Sequence, residues 1–147
     1  MYLRPEDYPK EERRVIKLFA KQNEKPSIYC TTTHNICEVG LIYVVRLANG
    51  YTKIGCTKDE KTLAQRLNAI KKQYEQDCTL LFVLKSPCKL GLEKRIHENL
   101  KRFHINHYAG DELFNLTDGL IESVANIKFF RGKEVVLMKM PVDNLLN

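Results

Sequence analysis

Residues 40–55 read GLIYVVRLANGYTKIG, and this stretch decides the fold class. Two runs rich in β-branched and aromatic residues, 41–47 and 51–55, flank the tripeptide Ala48-Asn49-Gly50. An Asn-Gly pair between two such runs signals a β-hairpin, because both residues tolerate the positive φ of a tight turn. The stretch therefore predicts two paired antiparallel strands.

Helical periodicity occurs twice after this hairpin, with a short apolar run between the two segments. Apolar residues fall on one helical face in 61–75 and again in 90–103. The residues on these inner faces are Leu63, Leu67, Ile70 and Tyr74, and then Leu92, Ile96, Leu100 and Phe103. The apolar run 79–84 suits a strand that ends before Pro87. We therefore expect two helices and a third strand here.

The two flanks add less regular signals. A charged, helix-prone segment, 5–25, precedes a connection, 28–39, that lacks clear periodicity, and Thr117 caps a predicted helix over 118–127. A last strand is predicted over 133–140. The whole order predicts an α+β domain with a small three-stranded antiparallel sheet flanked by helices and an extra N-terminal helix.

Length and composition limit the number of domains and the class of protein. With 147 residues, 44% of them hydrophobic, the chain has room for one domain with a genuine core. We divide it into an N-terminal helix and connection (1–39), a central domain (40–118) and a helix and strand extension of that domain (119–147). No apolar stretch approaches the roughly 20 residues of a spanning helix, and the start lacks a signal peptide's apolar run. We expect a soluble, intracellular protein without a membrane partner.

Basic residues exceed acidic ones, 24 Lys and Arg against 18 Asp and Glu, which gives a formal net charge of +6. This balance favours an anionic partner, and nucleic acid is the first candidate. The five cysteines form an odd set, so reduced thiols are the simpler interpretation. Cys30, His34 and Cys37 have spacing suited to zinc, but no second ligand pair follows them, which disfavours a closed zinc site.

The paired strands resemble those that give the GIY-YIG nuclease superfamily its name, since Gly40-Leu41-Ile42-Tyr43 is followed by Tyr51-Thr52-Lys53-Ile54-Gly55. Arg66 on the next helix, the segment Leu92–His97 on a later one and the segment Gly110–Phe114 continue the pattern in order. The chain is most similar to the branch of phages and large DNA viruses, where Lys-Ile-Gly is usual. The resemblance implies a divalent-metal-dependent endonuclease that hydrolyses phosphodiester bonds of nucleic acid, with DNA favoured over RNA.

The resemblance also implies a role for each candidate catalytic residue. Glu93 would hold one Mg²⁺ or Mn²⁺ ion, Arg66 would grip phosphate, and Tyr43 would serve the attacking water. Lys53, which takes the place of the second tyrosine, and His97 would assist. Phosphodiester hydrolysis needs a base for water, a cation at the phosphate and usually a carboxylate-bound metal, so these residue types fit the chemistry.

Each of these residues also has a simpler structural interpretation. Glu93 can pair with a neighbouring lysine or with His97 on the helix surface, and Arg66 can be an ordinary surface arginine. Tyr43 can be an ordinary half-buried strand aromatic, and Lys53 can be a simple exposed strand lysine. The endonuclease hypothesis therefore depends on whether the fold brings these side chains to one place.

Two larger patterns lie on and around the second predicted helix after the hairpin. At about 100° per residue, Glu93, His97 and His104 fall in one ridge along the edge of the apolar stripe, where clefts form. Basic residues surround this ridge and would either track a phosphate backbone or form a solvated helix face. They are Lys85, Lys89, Lys94, Arg95, Lys101 and Arg102.

Two rival functions stay open beside the endonuclease. Lys53 at the position of the second tyrosine motivates a catalytically inactive nucleic-acid-binding module with the same basic face. The N-terminal helix, with Tyr8, Val15, Leu18 and Phe19, motivates a protein-interaction factor that docks a partner. The first predicts binding without cleavage or metal, and the second predicts a helix that the domain does not need for folding.

Overall fold

A computed structural model describes residues 3–24, 38–105 and 113–138, and the predicted hairpin lies at the centre of its sheet. β1 (Gly40–Leu47) pairs antiparallel with β2 (Thr52–Thr57). Almost every residue of both strands is buried. This burial explains the near-continuous run of β-branched and apolar residues, because a strand covered on both faces cannot alternate apolar with polar side chains. The hairpin prediction is confirmed.

Five more strands follow these two in the described part of the chain. β3 (Cys78–Ser86), β4 (Leu113–Phe114) and β7 (Val136–Met138) join the hairpin in a five-stranded sheet of order β4-β2-β1-β3-β7. Every neighbouring pair in it is antiparallel. β5 (Phe129–Phe130) and β6 (Lys133–Glu134) form a separate two-stranded hairpin. The predicted α+β class is confirmed, and the three predicted strands are the centre of a wider sheet with two short edges.

Among the described residues, four α-helices cover this sheet, namely α1 (Tyr8–Glu24), α2 (Glu60–Tyr74), α3 (Lys89–Asn99) and α4 (Asp118–Ala125). Each of the four predicted helices is therefore present. Thr117 caps α4 as predicted, because its side chain accepts a backbone N–H of the first turn at 3.2 Å. None of the helices in the described ranges is long and apolar enough to cross a membrane.

The end of α3 differs from the prediction. The apolar stripe predicted a helix that runs to Phe103, but α3 ends at Asn99 and a single 3-10 turn, Lys101–Phe103, follows it. Leu100 between them has φ −99° and ψ 6°, outside the helical range, so the chain turns there. The stripe continues to the core because Leu100 and Phe103 are both buried in spite of this break.

The last predicted strand is also different. Instead of one strand over 133–140, the described residues form β6 and β7, with Val135 between them. Val135 is buried, and its amide donates to the carbonyl of Lys128 at 2.8 Å. This contact ties the chain back to the residue before β5 and ends the first short hairpin before β7 joins the main sheet.

The two faces of the sheet pack against different helices. Ile42 and Val44 of β1 belong to a core cluster that includes residues of α1, α3 and α4, whereas Tyr43 and Val45 belong to a cluster built with α2. Successive side chains of a strand point to opposite faces, so this division follows directly from the sequence of β1. We name these two sides the α3 face and the α2 face.

The N-terminal helix α1 is part of the core on the α3 face. Val15 and Phe19 are 0% and 3% exposed and belong to the same cluster as the inner side of α3. Glu11, with its side chain 8% exposed, accepts a hydrogen bond from Arg14 at 2.6 Å and lies 3.4 Å from Arg102, beyond the end of α3. The apolar face that motivated a partner-docking helix is thus buried within this domain.

Candidate active site

α3 brings Glu93 and His97 together, one helical turn apart, at the wall of an open pocket. The spacing of four residues places both side chains on one side of the helix. The pocket has a volume of about 540 Å³. It is lined by Glu93, Lys94, His97, Glu98, Lys101, His104 and Phe114. Two carboxylates and two ammonium groups therefore surround one cleft that also contains imidazole.

The ring of His97 is held by the backbone of the central hairpin. Its Nε2 lies 3.0 Å from the carbonyl oxygen of Ile54 in β2. A carbonyl only accepts, so Nε2 must carry the proton that it donates. In the neutral ring this leaves Nδ1 as an acceptor, which is the form that a proton-accepting or metal-binding histidine needs.

The carboxylate of Glu93 has no hydrogen-bond or ion-pair partner among the described residues, and the side chain is half-buried. The lysine that could compete for it, Lys89, instead pairs with Glu38 at 3.0 Å. The simpler interpretation, in which Glu93 pairs with a neighbour on the helix, therefore does not describe this structure. The carboxylate is available for a cation from outside the chain.

Phe114 of β4 forms the apolar floor of the pocket. The rings of His97 and His104 both meet it edge-on, at centroid distances of 5.2 Å and 5.5 Å. The predicted grouping of Glu93, His97 and His104 is correct, but the helical reason given for His104 is wrong. Because α3 ends at Asn99, His104 reaches the pocket from extended backbone after the 3-10 turn.

Tyr43 lies on the opposite side, the α2 face, and its ring crosses over Gly55 of β2. These two residues are direct partners across the hairpin. A methyl group on Gly55 would overlap the Tyr43 ring, with Cε2 only 2.9 Å away. The glycine of the Ile54-Gly55 motif is therefore needed to make room for this tyrosine, whose whole side chain is buried at 1% exposure.

Lys53 and Arg66 also lie on or beside the α2 face. Lys53 is 6% exposed, and its ammonium lies 5.9 Å from the centroid of the Tyr74 ring at the end of α2. The expectation of an exposed strand lysine is therefore wrong, since the residue is buried. Arg66 is exposed on α2, and none of the residues that the structure describes pairs with its guanidinium. Neither residue lines the pocket that holds Glu93.

Glu93 and His97 approach β2 from the α3 face, and Tyr43 and Lys53 approach the same stretch of β2 from the α2 face. β4 pairs only with Thr52 and Lys53, so no described strand covers the outer edge of β2 from Ile54 onward. The Leu47 amide donates to the Tyr51 carbonyl, so these two residues form a hydrogen-bonded pair. Such pairs alternate with non-hydrogen-bonded pairs along an antiparallel ladder, and Ile54, three residues after Tyr51, belongs to a non-hydrogen-bonded pair. The carbonyl of Ile54 therefore points away from β1. His97 binds this carbonyl, and the Tyr43 ring lies over the next residue.

The six residues of the basic run do not form one surface. Only Lys94 and Lys101 line the pocket. Lys89 and Arg102 are engaged in the ion pairs with Glu38 and Glu11. The remaining two point elsewhere, because Lys85 is exposed on β3 beside β7 and Arg95 stacks on the ring of Phe130 at 5.7 Å. The prediction of a continuous phosphate-tracking run is therefore too broad.

Sequence reasoning missed two members of the pocket wall, Glu98 and Phe114. Glu98 follows His97 directly and carried no pattern of its own, whereas Phe114 could have been found from the last segment of the resemblance, Gly110–Phe114. In the described part of the chain, Cys56, Cys78 and Cys88 are not joined in disulfides, and burial raises the pKa of the Cys78 thiol. The zinc candidate at Cys30, His34 and Cys37 lies outside the described residues.

The fold and the pocket define a small α+β domain with a carboxylate and an imidazole at a sheet edge. The model of the T5orf172 domain matches residues 40–129, more than half of the chain, and the chain belongs to this family. T5orf172 is a phage-associated domain often linked to nuclease folds of the GIY-YIG and HNH kinds, and the GIY-YIG model itself does not match. No curated protein and no solved structure matches the chain.

Proposed function

We propose that the protein is a divalent-metal-dependent endonuclease that hydrolyses phosphodiester bonds of nucleic acid at the outer edge of β2. The observation that carries the proposal is the carboxylate of Glu93, which has no partner among the described residues and lies in an open pocket beside the oriented ring of His97. Membership of a phage-associated family linked to nuclease folds supports the same reaction class.

The donor set of this pocket fits one hard cation, Mg²⁺ or Mn²⁺, held by Glu93. Such ions take one or two carboxylates and fill their remaining positions with water and substrate phosphate. The described residues contain no group of three or more His, Cys, Asp or Glu side chains that could hold a metal, which argues against a closed transition-metal cage. When bound, the ion would supply Lewis-acid stabilisation of the phosphate and its bound water.

The residues around the edge of β2 would divide the remaining work. His97, with its N–H fixed on the Ile54 carbonyl, would present a ring nitrogen that accepts a proton from the attacking water as the new oxygen–phosphorus bond forms. The bond from phosphorus to the sugar oxygen would break as the water adds, and the leaving oxygen would take a proton from solvent. Tyr43, which lies over Gly55, would orient that water from the α2 face. Lys53 and Arg66 would offset negative charge on the phosphate from the same side.

The substrate class follows from charge. Lys94 and Lys101 place two ammonium groups in the wall of the pocket, and the chain carries a formal net charge of +6. Lysines at such a position bind phosphate through charge and do not distinguish bases. We propose DNA as the substrate in preference to RNA, because the matching family is phage-associated.

One alternative has an observation of its own. Lys53 is buried on the α2 face and lies against Tyr74, where the superfamily would have a second tyrosine. A catalytically inactive nucleic-acid-binding module would keep the basic pocket and lose the reaction. It predicts binding that is independent of metal and no cleavage, which separates it from the endonuclease in a single assay. The protein-interaction factor has less support, because α1 is buried in the core.

A cleavage assay with matched variants tests the proposal. Supercoiled plasmid and labelled single strands are incubated with Mg²⁺, Mn²⁺ or EDTA and with wild type, Glu93→Gln or Glu122→Gln. Glu122 is an exposed glutamate of α4 and controls for loss of one charge. We expect metal-dependent cutting by wild type and Glu122→Gln and at least a hundredfold loss in Glu93→Gln. Inactivity of all three proteins on every substrate, with binding retained, would favour the binding module.

A further inference from the structure

The outer face of α1 carries a row of basic residues that the proposed function does not use. At about 100° per residue, five Lys and Arg side chains fall within an arc of about 100° around the helix, on the side away from the buried Val15 and Phe19. All five residues are exposed. We name them the basic ridge, which consists of Lys10, Arg13, Arg14, Lys17 and Lys21.

We propose that the basic ridge binds the phosphate backbone of a nucleic-acid duplex, beside the point where the pocket would cut it. This inference rests on the proposed function for its choice of partner. The helix α1 ends at Glu24 and the family match begins at residue 40, so the ridge lies outside the matched domain. It would therefore be a substrate contact particular to this chain.

The charges of α1 are separated between the two sides of the helix. Four members of the ridge have no carboxylate partner among the described residues, and the fifth, Arg14, pairs with Glu11. Glu11 is buried, and Glu12 is half-buried and accepts a hydrogen bond from Thr117 at 2.7 Å. A solvated helix face usually mixes both signs of charge, often as Glu and Lys four residues apart. The basic ridge therefore differs from an ordinary solvated face.

Neighbouring members of the basic ridge repel one another. Three pairs of them are four residues apart, namely Lys10 with Arg14, Arg13 with Lys17, and Lys17 with Lys21. Like charges at this spacing destabilise a helix. A polyanion along the ridge offsets this repulsion, and the counterions released from its phosphates add to the affinity. An extended anion therefore suits the ridge better than a single small one.

The residues of α1 favour a duplex over a single strand or a membrane. Single-strand sites combine cations with exposed aromatic rings, whereas Phe19 is buried and Tyr8 packs on Phe103. A membrane-bound helix inserts its apolar face into the lipid, and the apolar face of α1 is already buried in the core. A duplex needs only cations, because it carries about one negative charge per 1.7 Å of its axis.

The basic ridge connects to the pocket through the end of α3. Arg14 and Arg102 lie 2.6 Å and 3.4 Å from the Glu11 carboxylate, and their side chains are 55% and 43% exposed. Two guanidinium groups share one carboxylate, which leaves an excess of positive charge here. Arg102 directly follows Lys101, which lines the pocket. Exposed cations thus continue from the pocket wall to α1.

Contacts at the end of α1 hold the basic ridge in a fixed position on the domain. Asn99 of α3 donates to Gln22 at 2.9 Å, and Asn23 donates to the carbonyl of Asn126 at 3.1 Å. Such preorganisation reduces the cost of binding. At 1.5 Å per residue the ridge is about 16 Å long, so it would run beside about five base pairs.

Fluorescence anisotropy with a labelled DNA duplex, in EDTA over a range of salt, tests the proposal on two matched double variants. Lys10→Gln with Lys21→Gln removes two charges from the ridge. The control, Lys61→Gln with Lys72→Gln, removes two exposed lysines at the same spacing on α2. We expect the ridge variant to bind the duplex about tenfold more weakly, with the slope of log affinity against log salt reduced by about two. The control should change less than about twofold.

Two further measurements separate binding from folding and from catalysis. Both double variants should melt close to wild type, because glutamine and lysine have similar helix propensities. Lys10→Arg with Lys21→Arg keeps both charges and should bind the duplex like wild type. The ridge variant should keep the wild-type cleavage rate at saturating duplex, since neither of its lysines lines the pocket.

Three results would overturn the basic ridge. They are a wild type that binds no duplex, equal weakening in the ridge variant and the α2 control, and unchanged duplex affinity in the ridge variant. If the third result comes with loss of binding to anionic phospholipid vesicles, the ridge serves a membrane surface instead. Unchanged affinity while wild type cuts leaves the endonuclease proposal intact. Weak duplex binding by the ridge variant, with a wild type that cuts nothing, keeps the ridge and removes the endonuclease.

Discussion

The α3 face and the α2 face of the sheet hold polar groups of different accessibility. On the α3 face, Glu93 and His97 lie in an open pocket, and Glu93 has no partner among the described residues. On the α2 face, Tyr43 and Lys53 are buried, at 1% and 6% exposure. The open side is suited to receive a cation and a phosphate from solution. The buried side is suited to hold a hydroxyl and a charge in fixed positions beside them.

The two faces meet at one short segment of β2, so substitutions on either face can be tested for an effect on the same site. His97 contacts the carbonyl of Ile54, and Tyr43 lies over Gly55. If both sides serve one reaction, changes on either side should lower the rate of cleavage. If only the open side serves it, changes on the α2 face should affect stability alone.

The largest effect that separates these outcomes is expected for Tyr43→Phe. This variant removes one hydroxyl and keeps the ring that fills the space over Gly55. We expect cleavage to fall about a hundredfold, as is typical when a positioned catalytic group is lost, with little change in melting temperature. Tyr8→Phe is the control, because Tyr8 packs on Phe103 away from the site. Full activity in Tyr43→Phe would assign this tyrosine to the core alone.

Gly55→Ala tests the close approach of the hairpin strands to Tyr43. The added methyl overlaps the tyrosine ring, so we expect a loss of about 2–3 kcal/mol in the free energy of unfolding. Urea denaturation of Gly55→Ala, of Tyr43→Leu and of the double variant measures it. The smaller leucine leaves room, so the two single effects should sum to more than the double variant loses. Simple additivity would show that the two residues do not compete for space.

The roles of the two ring nitrogens of His97 can be tested separately. In His97→Gln the side-chain amide keeps a donor for the Ile54 carbonyl and has no counterpart of Nδ1, whereas His97→Ala loses both. We expect both variants to cut about tenfold more slowly or worse, and only His97→Ala to lose about 1 kcal/mol of stability. The cleavage rate and the urea midpoint are measured on the same preparations. Normal cleavage by His97→Gln would limit His97 to its contact with β2.

The smallest effect concerns the attachment of α1 to the α3 face. The hydrogen bond from Arg14 lowers the pKa of Glu11 below its ordinary value near 4.5, and Arg102 adds to this. Because the folded pKa is the lower one, this contribution is present above pH 4.5 and is lost as pH falls through the folded pKa. We expect Glu11→Gln to be less stable by about 1 kcal/mol at neutral pH and to match wild type in acid. A constant difference from neutral pH to acid would contradict the assignment.

The central architecture could be predicted because it depends on local patterns. The Asn-Gly turn, the two apolar stripes and the Thr117 cap each act over a few residues, and each produces its element where the sequence indicated, although α3 ends at Asn99, before its stripe does. The strand predicted over 133–140 contains β7, but its division from β6 and the short edge strand β4 could not be predicted in this way. A segment of two or three residues is too short to show a hydrophobic period. These strands form because a longer neighbouring strand offers a free edge for pairing.

The sequence predicted most of the residues of the candidate site, but not the face of the sheet on which each of them lies. The spacing of Glu93 and His97 on one helix was enough to place them together. That Tyr43 and Lys53 lie on the other face depends on which side of the sheet each helix covers, and this is a property of the whole fold. The residues of the basic run do not share one surface for a similar reason. Two of them form ion pairs with Glu11 and Glu38, which are distant in sequence.

Metal binding by Glu93 is the property on which the proposed endonuclease depends most directly. Free Mn²⁺ is followed by electron paramagnetic resonance while it is titrated into wild type, Glu93→Gln and Glu122→Gln, each with an uncleavable phosphorothioate strand. We expect one bound ion per chain in wild type and in Glu122→Gln, and a large loss of Mn²⁺ affinity in Glu93→Gln. Equal Mn²⁺ binding by all three proteins would contradict it.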